Sequence, residues 1–305
     1  MVIIDTCHSY LTIQDIGKEI DLVRVSNNLS EVEEFENKFE QSCIKGELKN
    51  LTVHSSPFSL RIAGSYPKFL HGNNIESLRK SEFKAVCEEL SDVLGYDVSL
   101  SKLSRLDLAK TFEMDNPVAD YYHSLKKMNY KKRNIRKNSL YFENKSNVIC
   151  FYDKLSEIVS KGLEVPKQHK EKNLLRLENR LMKRVSKQLL IEDLRLYQLS
   201  NPNIITKLNN YYTKSFLSIE KAPTMESSFN ICTPKQFMIY LAQLQASYLG
   251  EKALLSLVEG FKPNCKNAMA YKRMKDEASG LLQHSFDADI TLINELTAKF
   301  DLRVP

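Results

Sequence analysis

Three short strand-like segments, two that alternate apolar and polar residues and one apolar run that carries a tyrosine, constrain the fold more tightly than any other feature. They read LSRLDLA (103–109), VICFYDKL (148–155) and LRLENRL (175–181). Successive side chains of a β-strand point to opposite faces, so this period predicts strands with one apolar and one polar side. On the first segment Arg105 and Asp107 share a face, opposite Leu106 and Leu108. On the third, Arg176, Glu178 and Arg180 oppose Leu175, Leu177 and Leu181. On the second, Tyr152 and Lys154 are expected to lie on one face with Val148 and Cys150. If the three strands join one sheet, a single face gathers two carboxylates, a tyrosine, a lysine and three arginines.

The remaining pattern predicts an α+β domain. Residues 2–12, 50–65 and 102–112 read as strands, and SLYFENKSNVICFY (139–152) as a hairpin. SEVEEFENKFEQS (30–42) opens with Ser30 and Glu33 in capping-box spacing and predicts a helix. SLRKSEFKAVCEELSDVLG (77–95) is amphipathic and stops at Gly95. Asn116 before Pro117 predicts a further helix over 117–129. Past about residue 185 the texture turns helical, in KQLLIEDLRLYQLS, TPKQFMIYLAQLQASYL and ITLINELTAKF. The predicted division is therefore a mixed domain at 1–187 and a mostly helical region at 188–305.

Composition removes several classes of function. The apolar fraction is 42% and no run approaches the roughly 20 residues that span a bilayer. The first residues, MVIIDTCHSYLTI, read as a strand rather than a signal peptide, so the cytoplasm is the expected location, with no membrane partner. The six cysteines form no CxxC pair and no zinc spacing. No GxxxxGK[ST], GxGxxG or GxSxG motif occurs, and the six histidines never pair as HxH or HxxxH. ATP-driven work would need another protein.

The formal charge is +6, but its distribution is uneven. Lys131, Lys132, Arg133, Arg136 and Lys137 fall in a stretch, 126–145, whose only acid is Glu143. Clustered cations interleaved with tyrosine and asparagine suit contacts to nucleic-acid phosphates; the alternative is a solvated basic face. The gathered strand face suits phosphoryl chemistry. Two carboxylates, Asp107 and Glu178, can hold a hard divalent cation such as Mg²⁺ or Mn²⁺. Tyrosine, with a free pKa of about 10, needs a nearby cation to become a nucleophile. Lys154, Arg105, Arg176 and Arg180 can supply that charge and neutralise a phosphorane. Equally, Asp107 and Glu178 can be partners of those same arginines in ion pairs.

In this order the segments resemble the gene II/X replication initiators of filamentous phages and related plasmids. MVIIDT, LRIAGSYPKFLHGNNIESL (60–78), LSRLDLAKTF, VICFYDKLSE and LLRLENRLMKRVS carry the likeness, across residues 1–190. The resemblance implies a rolling-circle initiator on a rearranged nuclease fold, with a central antiparallel sheet flanked by helices. It implies nicking of one origin strand by tyrosine, a 5′-phosphotyrosyl intermediate, a 3′-OH primer, and a host helicase and polymerase that act afterwards. It places the nucleophile at Tyr152 with Lys154 beside it, metal ligands at Asp107 and Glu178, and a structural or DNA-facing role at Lys68, His71, Gly72 and Asn73. Arg61 stands where some relatives carry an acid. A non-catalytic origin-binding protein and a plasmid-mobilisation relaxase are the alternatives.

Overall fold

The structure is a computed structural model that describes residues 3–221, 233–236, 238–239, 242, 251–283 and 290–300. In chain order the elements begin with β1 (Ile4–Thr12), α1 (Ile13–Ile16), α2 (Leu22–Ser26), β2 (Ser30–Glu36), β3 (Ser42–Leu48), β4 (Leu51–Ser56) and β5 (Ser59–Ser65). Next come α3 (Tyr66–His71), α4 (Lys80–Leu94), β6 (Lys102–Met114), β7 (Leu125–Lys127), β8 (Lys132–Arg136), β9 (Ser139–Glu143) and β10 (Asn147–Asp153). The chain continues with α5 (Lys154–Ser160), β11 (Asn173–Leu181), α6 (Val185–Leu189), α7 (Pro202–Leu217) and β12 (Glu220–Lys221). The described helices that follow are α8 (Glu251–Gly260), α9 (Ala268–Gln283) and α10 (Ile290–Phe300).

Two compact units result: residues 1–118 with 128–218, and residues 119–127 with 219–305. The first unit thus runs past residue 187 and takes in α6 and α7. It holds one ten-stranded antiparallel sheet in the order β2-β3-β4-β5-β1-β6-β11-β10-β9-β8. The three strand-like segments are adjacent in it, as β6, β11 and β10. Their register pairs Arg180 with Asp107, Cys150 with Glu178 and Tyr152 with Arg176, so the polar residues share a face.

The other face is the apolar core. Leu106, Leu108, Leu175, Leu177, Phe151 and Phe142 are all buried there. Helix α4 contributes Phe83, Val86, Leu90 and Leu94, and ends at Gly95, whose φ of 76° suits glycine and strains most other residues. Helix α7 contributes Leu208, Tyr212 and Phe216; the Phe216 ring lies 6.5 Å from that of Phe151. The Tyr212 hydroxyl donates to the Leu177 carbonyl at 3.0 Å, which satisfies a polar group inside the core.

The sheet has two unlike edges. Strand β2, SEVEEFE, is exposed along its whole length and carries Glu31, Glu33, Glu34 and Glu36. Strand β8, KRNIR, carries Lys132, Arg133 and Arg136 and no acid. Charged edges of this kind resist pairing with other chains.

Several local expectations are corrected. Residues 30–36 form strand β2, not a helix: Glu31 adopts a left-handed φ of 51°, and pairing with β3 outweighs the helical spacing of Val32, Phe35 and Phe39. Residues 117–129 form a 3-10 turn, Val118–Ser124, and the short strand β7, which pairs with the distant β12. KQLLIEDLRLYQLS is broken by positive φ at Leu190 and Asp193. Within the basic stretch, residues 132–136 form strand β8, with Lys131 and Lys137 at its ends.

In the second unit, Leu254, Val258 and Ala278 of α8 and α9 form a small core, with Tyr271 and Met274 packed against it. Tyr121 donates a hydrogen bond to Glu295 of α10. Thr233 and Gln236 exchange the hydrogen bonds of a capping box, as the Thr233-Pro234 pair predicts for a helix start. Most of TPKQFMIYLAQLQASYL lies outside the described residues. No described helix is long and apolar enough to cross a membrane.

Candidate active site

The polar face of β10, β11 and β6 is a buried ionic network. Arg176 is its hub and is only 2% exposed. Its guanidinium reaches Asp5 at 2.9 Å and Glu178 at 3.1 Å, and donates to the Asn74 carbonyl and the Thr111 hydroxyl. Asp5 stands at a register shift between Ile4 and Thr6 in the pairing of β1 with β6. Such a bulge re-aims a side chain, here toward Arg176. Asp5 also accepts from Ser65 and Asn74, at 3.1 and 3.0 Å.

Glu178 joins the hub to the tyrosine. Its Oε1 accepts from the Tyr152 hydroxyl at 2.5 Å, and its Oε2 accepts from Arg180 at 2.7 and 2.6 Å. Burial alone would raise the Glu178 carboxyl; Arg176 and Arg180 outweigh it and hold the group well below the ordinary carboxylate range. Burial, then the charge of Glu178, pushes the Tyr152 phenol well above its ordinary value. Tyr152 is 8% exposed, at the floor of a cleft of about 350 Å³ that Lys137, Tyr141 and Arg180 also line. A neutral phenol bonded to a carboxylate, with a partly exposed guanidinium alongside, can accept a phosphate and release a proton to its partner.

Asp107 is clamped by Arg105, from Nε at 2.8 Å and Nη2 at 2.6 Å. Burial raises its carboxyl, and Arg105 only partly offsets that. A divalent cation does not fit this arrangement. Both oxygens of Asp107 and of Glu178 already accept hydrogen bonds, from Arg105 and from Tyr152, Arg176 and Arg180. Among the described residues no three His, Cys, Asp or Glu side chains converge to hold a metal.

The other expected residues are placed as follows. Lys154 lies just beyond β10, which ends at Asp153, the cap of α5 through the Leu155 and Ser156 amides, yet its ammonium stays on the side of Tyr152 and joins the same network through Asn74. The buried ammonium bonds Asn74 at 2.8 Å and Glu157 at 2.7 Å and lies 6.0 Å from the Tyr152 ring centroid. Arg176, expected to face DNA, is internal. Arg180 keeps partial exposure, and Arg105 likewise.

On β8, Lys132 pairs with Glu143 and Arg136 with Ser139, on the face of Tyr152, while Arg133 pairs with Phe142 on the covered side. Arg136 also lies over the Tyr141 ring at 4.8 Å and bonds Glu143. Lys131 donates to the Asn147 carbonyl at 3.1 Å, and burial lowers its ammonium to about 8. Lys137 sits in the β8–β9 turn with φ 51° and lines the cleft. Lys68 and His71 lie on α3, which Gly72 terminates; His71 is 3.8 Å from Glu82. Asn73 turns the chain by accepting from the Ile75 amide.

Sequence reasoning misses Asp5, Asn74, Thr111 and Glu157. A lone acid in an apolar first strand and the second asparagine of GNNI are the signals that point to the first two.

No curated protein matches the chain. A family model for the N-terminal part of the phage gene II replication-associated protein matches residues 4–200, which spans every strand of the large sheet and the whole ionic network. The chain belongs to this phage replication-associated family, the gene II group that its strand order and its Ser-Arg-Leu-Asp and Arg-Leu-Glu-Asn-Arg segments resemble.

Proposed function

We propose that this replication protein is an initiator that nicks one strand of origin DNA through Tyr152. The observation that carries the reading is the Tyr152 hydroxyl at the floor of a solvent-reaching cleft, bonded to Glu178 between two arginines. The scissile phosphate enters the cleft and draws Arg180 away from Glu178. Losing that cation raises the proton affinity of Glu178, which then takes the Tyr152 proton. The phenolate oxygen bonds to phosphorus, the bond from phosphorus to the 3′ oxygen breaks, that oxygen takes a proton from solvent to leave as the 3′-OH primer, and Glu178 returns its proton to solvent. Arg180 neutralises the phosphorane, and Arg176 keeps Glu178 in register. The 5′-phosphotyrosyl end is rejoined by the reverse step. A host helicase and polymerase would extend the primer.

A Mg²⁺ or Mn²⁺ ion at Asp107 and Glu178 would have to displace Arg105 and Arg180, so no step is assigned to it. The test incubates the protein with a supercoiled origin plasmid, with and without Mn²⁺, and follows nicked circles and a denaturant-resistant protein–DNA adduct. The ion pairs themselves favour a second reading, a non-catalytic origin-binding protein. In that case DNA is retained and neither nick nor adduct forms.

A further inference from the structure

A second pocket, of about 160 Å³, adjoins the Tyr152 cleft along α5. Its apolar lining includes Ile75, Ile158, Leu163 and Pro166, and Asn74 and Lys154 supply polar groups. Ile75 and Ile158 belong to a small core of their own with Leu174, which makes that wall rigid. Cavities of about 150 Å³ with apolar walls admit a benzene ring, so this space is of the order of one flat heterocycle. The buried Lys154 ammonium uses two N–H groups on Asn74 and Glu157; an ammonium has three, which leaves a donor for a ring acceptor. Glu157 and Lys161 line both this pocket and the cleft, so the two spaces are separated by little more than their side chains. Lys68 and Lys161 also line it, Lys161 in an ion pair with Glu157, and Glu164 adds an acid.

We propose that this pocket takes one unpaired nucleobase of the DNA strand, from the nucleotide adjoining the phosphate held at Tyr152. The proposal rests on the nicking reading for its register, but not for its binding chemistry. Enzymes that act on nucleic acid read an extruded base by apolar packing on its faces and hydrogen bonds to its edge, and both kinds of group are present here. Selectivity for single-stranded or melted DNA follows, because a paired base cannot enter.

The experiment measures binding of single-stranded origin oligonucleotides to the full-length Y152F protein by fluorescence anisotropy. Each oligonucleotide lacks one base in turn. One position next to the nick should lose roughly tenfold in affinity, about 1.4 kcal/mol, while its neighbours lose less than about twofold. Leu163 is 47% exposed, so L163W fills the pocket from its solvent side without disturbing the core. That variant should weaken the intact strand to the same degree and leave the strand already lacking the sensitive base unchanged. A flat base-removal profile, or equal weakening of both strands by L163W, overturns the proposal. Adduct formation by the unaltered protein is scored separately, so a protein that binds without nicking defeats the nicking reading and leaves the pocket result standing.

Discussion

Phe151 and Tyr152 are neighbours on β10, yet they belong to two different kinds of interior. Phe151 points into the covered face, among Phe142, Phe216 and leucines. Tyr152 points to the polar face, where Glu178, Arg176, Asp107 and Asp5 are also at least nine-tenths buried. The covered face is held by volume: any apolar side chain of the right size serves. The polar face is held by pairing, and each charge is tolerated only because a named partner sits beside it. On the same three strands, the polar face tolerates changes of chemistry badly and the covered face tolerates changes of size badly.

The largest effect expected separates the two faces completely. Y152F should abolish nicking and the covalent adduct while melting temperature and DNA retention stay close to those of the parent, since one hydroxyl is lost and little packing. F151A should do the reverse, with a stability loss of about 3–5 kcal/mol in chemical denaturation. An adduct formed by the Y152F protein would remove Tyr152 from its role.

Next in size is the hub. R176M keeps much of the side chain's volume but strands Asp5 and Glu178 as carboxylates without their shared cation, which should cost about 3–5 kcal/mol. The double variant D5N/R176M should recover part of that loss, and a double-mutant cycle by urea titration measures the recovery. Strictly additive losses would show that Asp5 and Arg176 are not coupled.

Acid titration sharpens the contrast within the polar face. The folded carboxyl of Glu178 lies below its unfolded value of 4.5, so its stabilisation is present above about pH 4.5 and fades as pH falls toward the folded value. Asp107 is raised above 3.8, so the fold gains protons, and stability, as pH falls through its raised value. E178Q should flatten the acid limb of stability against pH, and D107N should steepen it. In cleavage, both should be inactive if a metal displaces their arginines, whereas only E178Q should be inactive if Glu178 works alone as proton acceptor. Rates against Mn²⁺ concentration decide between these.

The smallest effect concerns the basic edge. Lys132, Arg136 and Lys137 reach the open face or the cleft, whereas Lys131 is bound to Asn147 and Arg133 lies on the covered side. Replacing the first three by alanine should flatten the salt dependence of single-strand binding by about two units, at about 0.7 per lost phosphate contact. A K131A/R133A control should flatten it by less. Equal slopes would place the DNA elsewhere.

The strands of the site are legible in the chain because their signals are local: β6 and β11 alternate apolar and polar residues, and β10 is a short apolar run rich in β-branched and aromatic residues. The period says nothing of which strands lie side by side; that depends on pairings between residues as far apart as Arg180 and Asp107. Lys154 reaches the side of Tyr152 by another route than the strand period, because an aspartate cap turns strand into helix one residue after Tyr152 and the first helical turn carries the ammonium back to Asn74. Asp5 is hidden in the sequence because a bulge, invisible in composition, swings it out of phase. Strand β2 reads as a helix because its capping pattern and apolar spacing are those of a helix, and only its sheet partner decides otherwise.

The two unlike edges of the large sheet give it a direction. Nine strand spacings of about 4.8 Å separate β2 from β8, a span of about 43 Å. The lysine- and arginine-bearing end attracts a polyanion, and the glutamates of β2 repel one at the other. At physiological salt such repulsion reaches only about 8 Å, so the glutamates act as a boundary rather than a distant field. A strand nicked at Tyr152 as proposed would therefore be favoured at the basic end of the sheet and disfavoured only within a Debye length of β2.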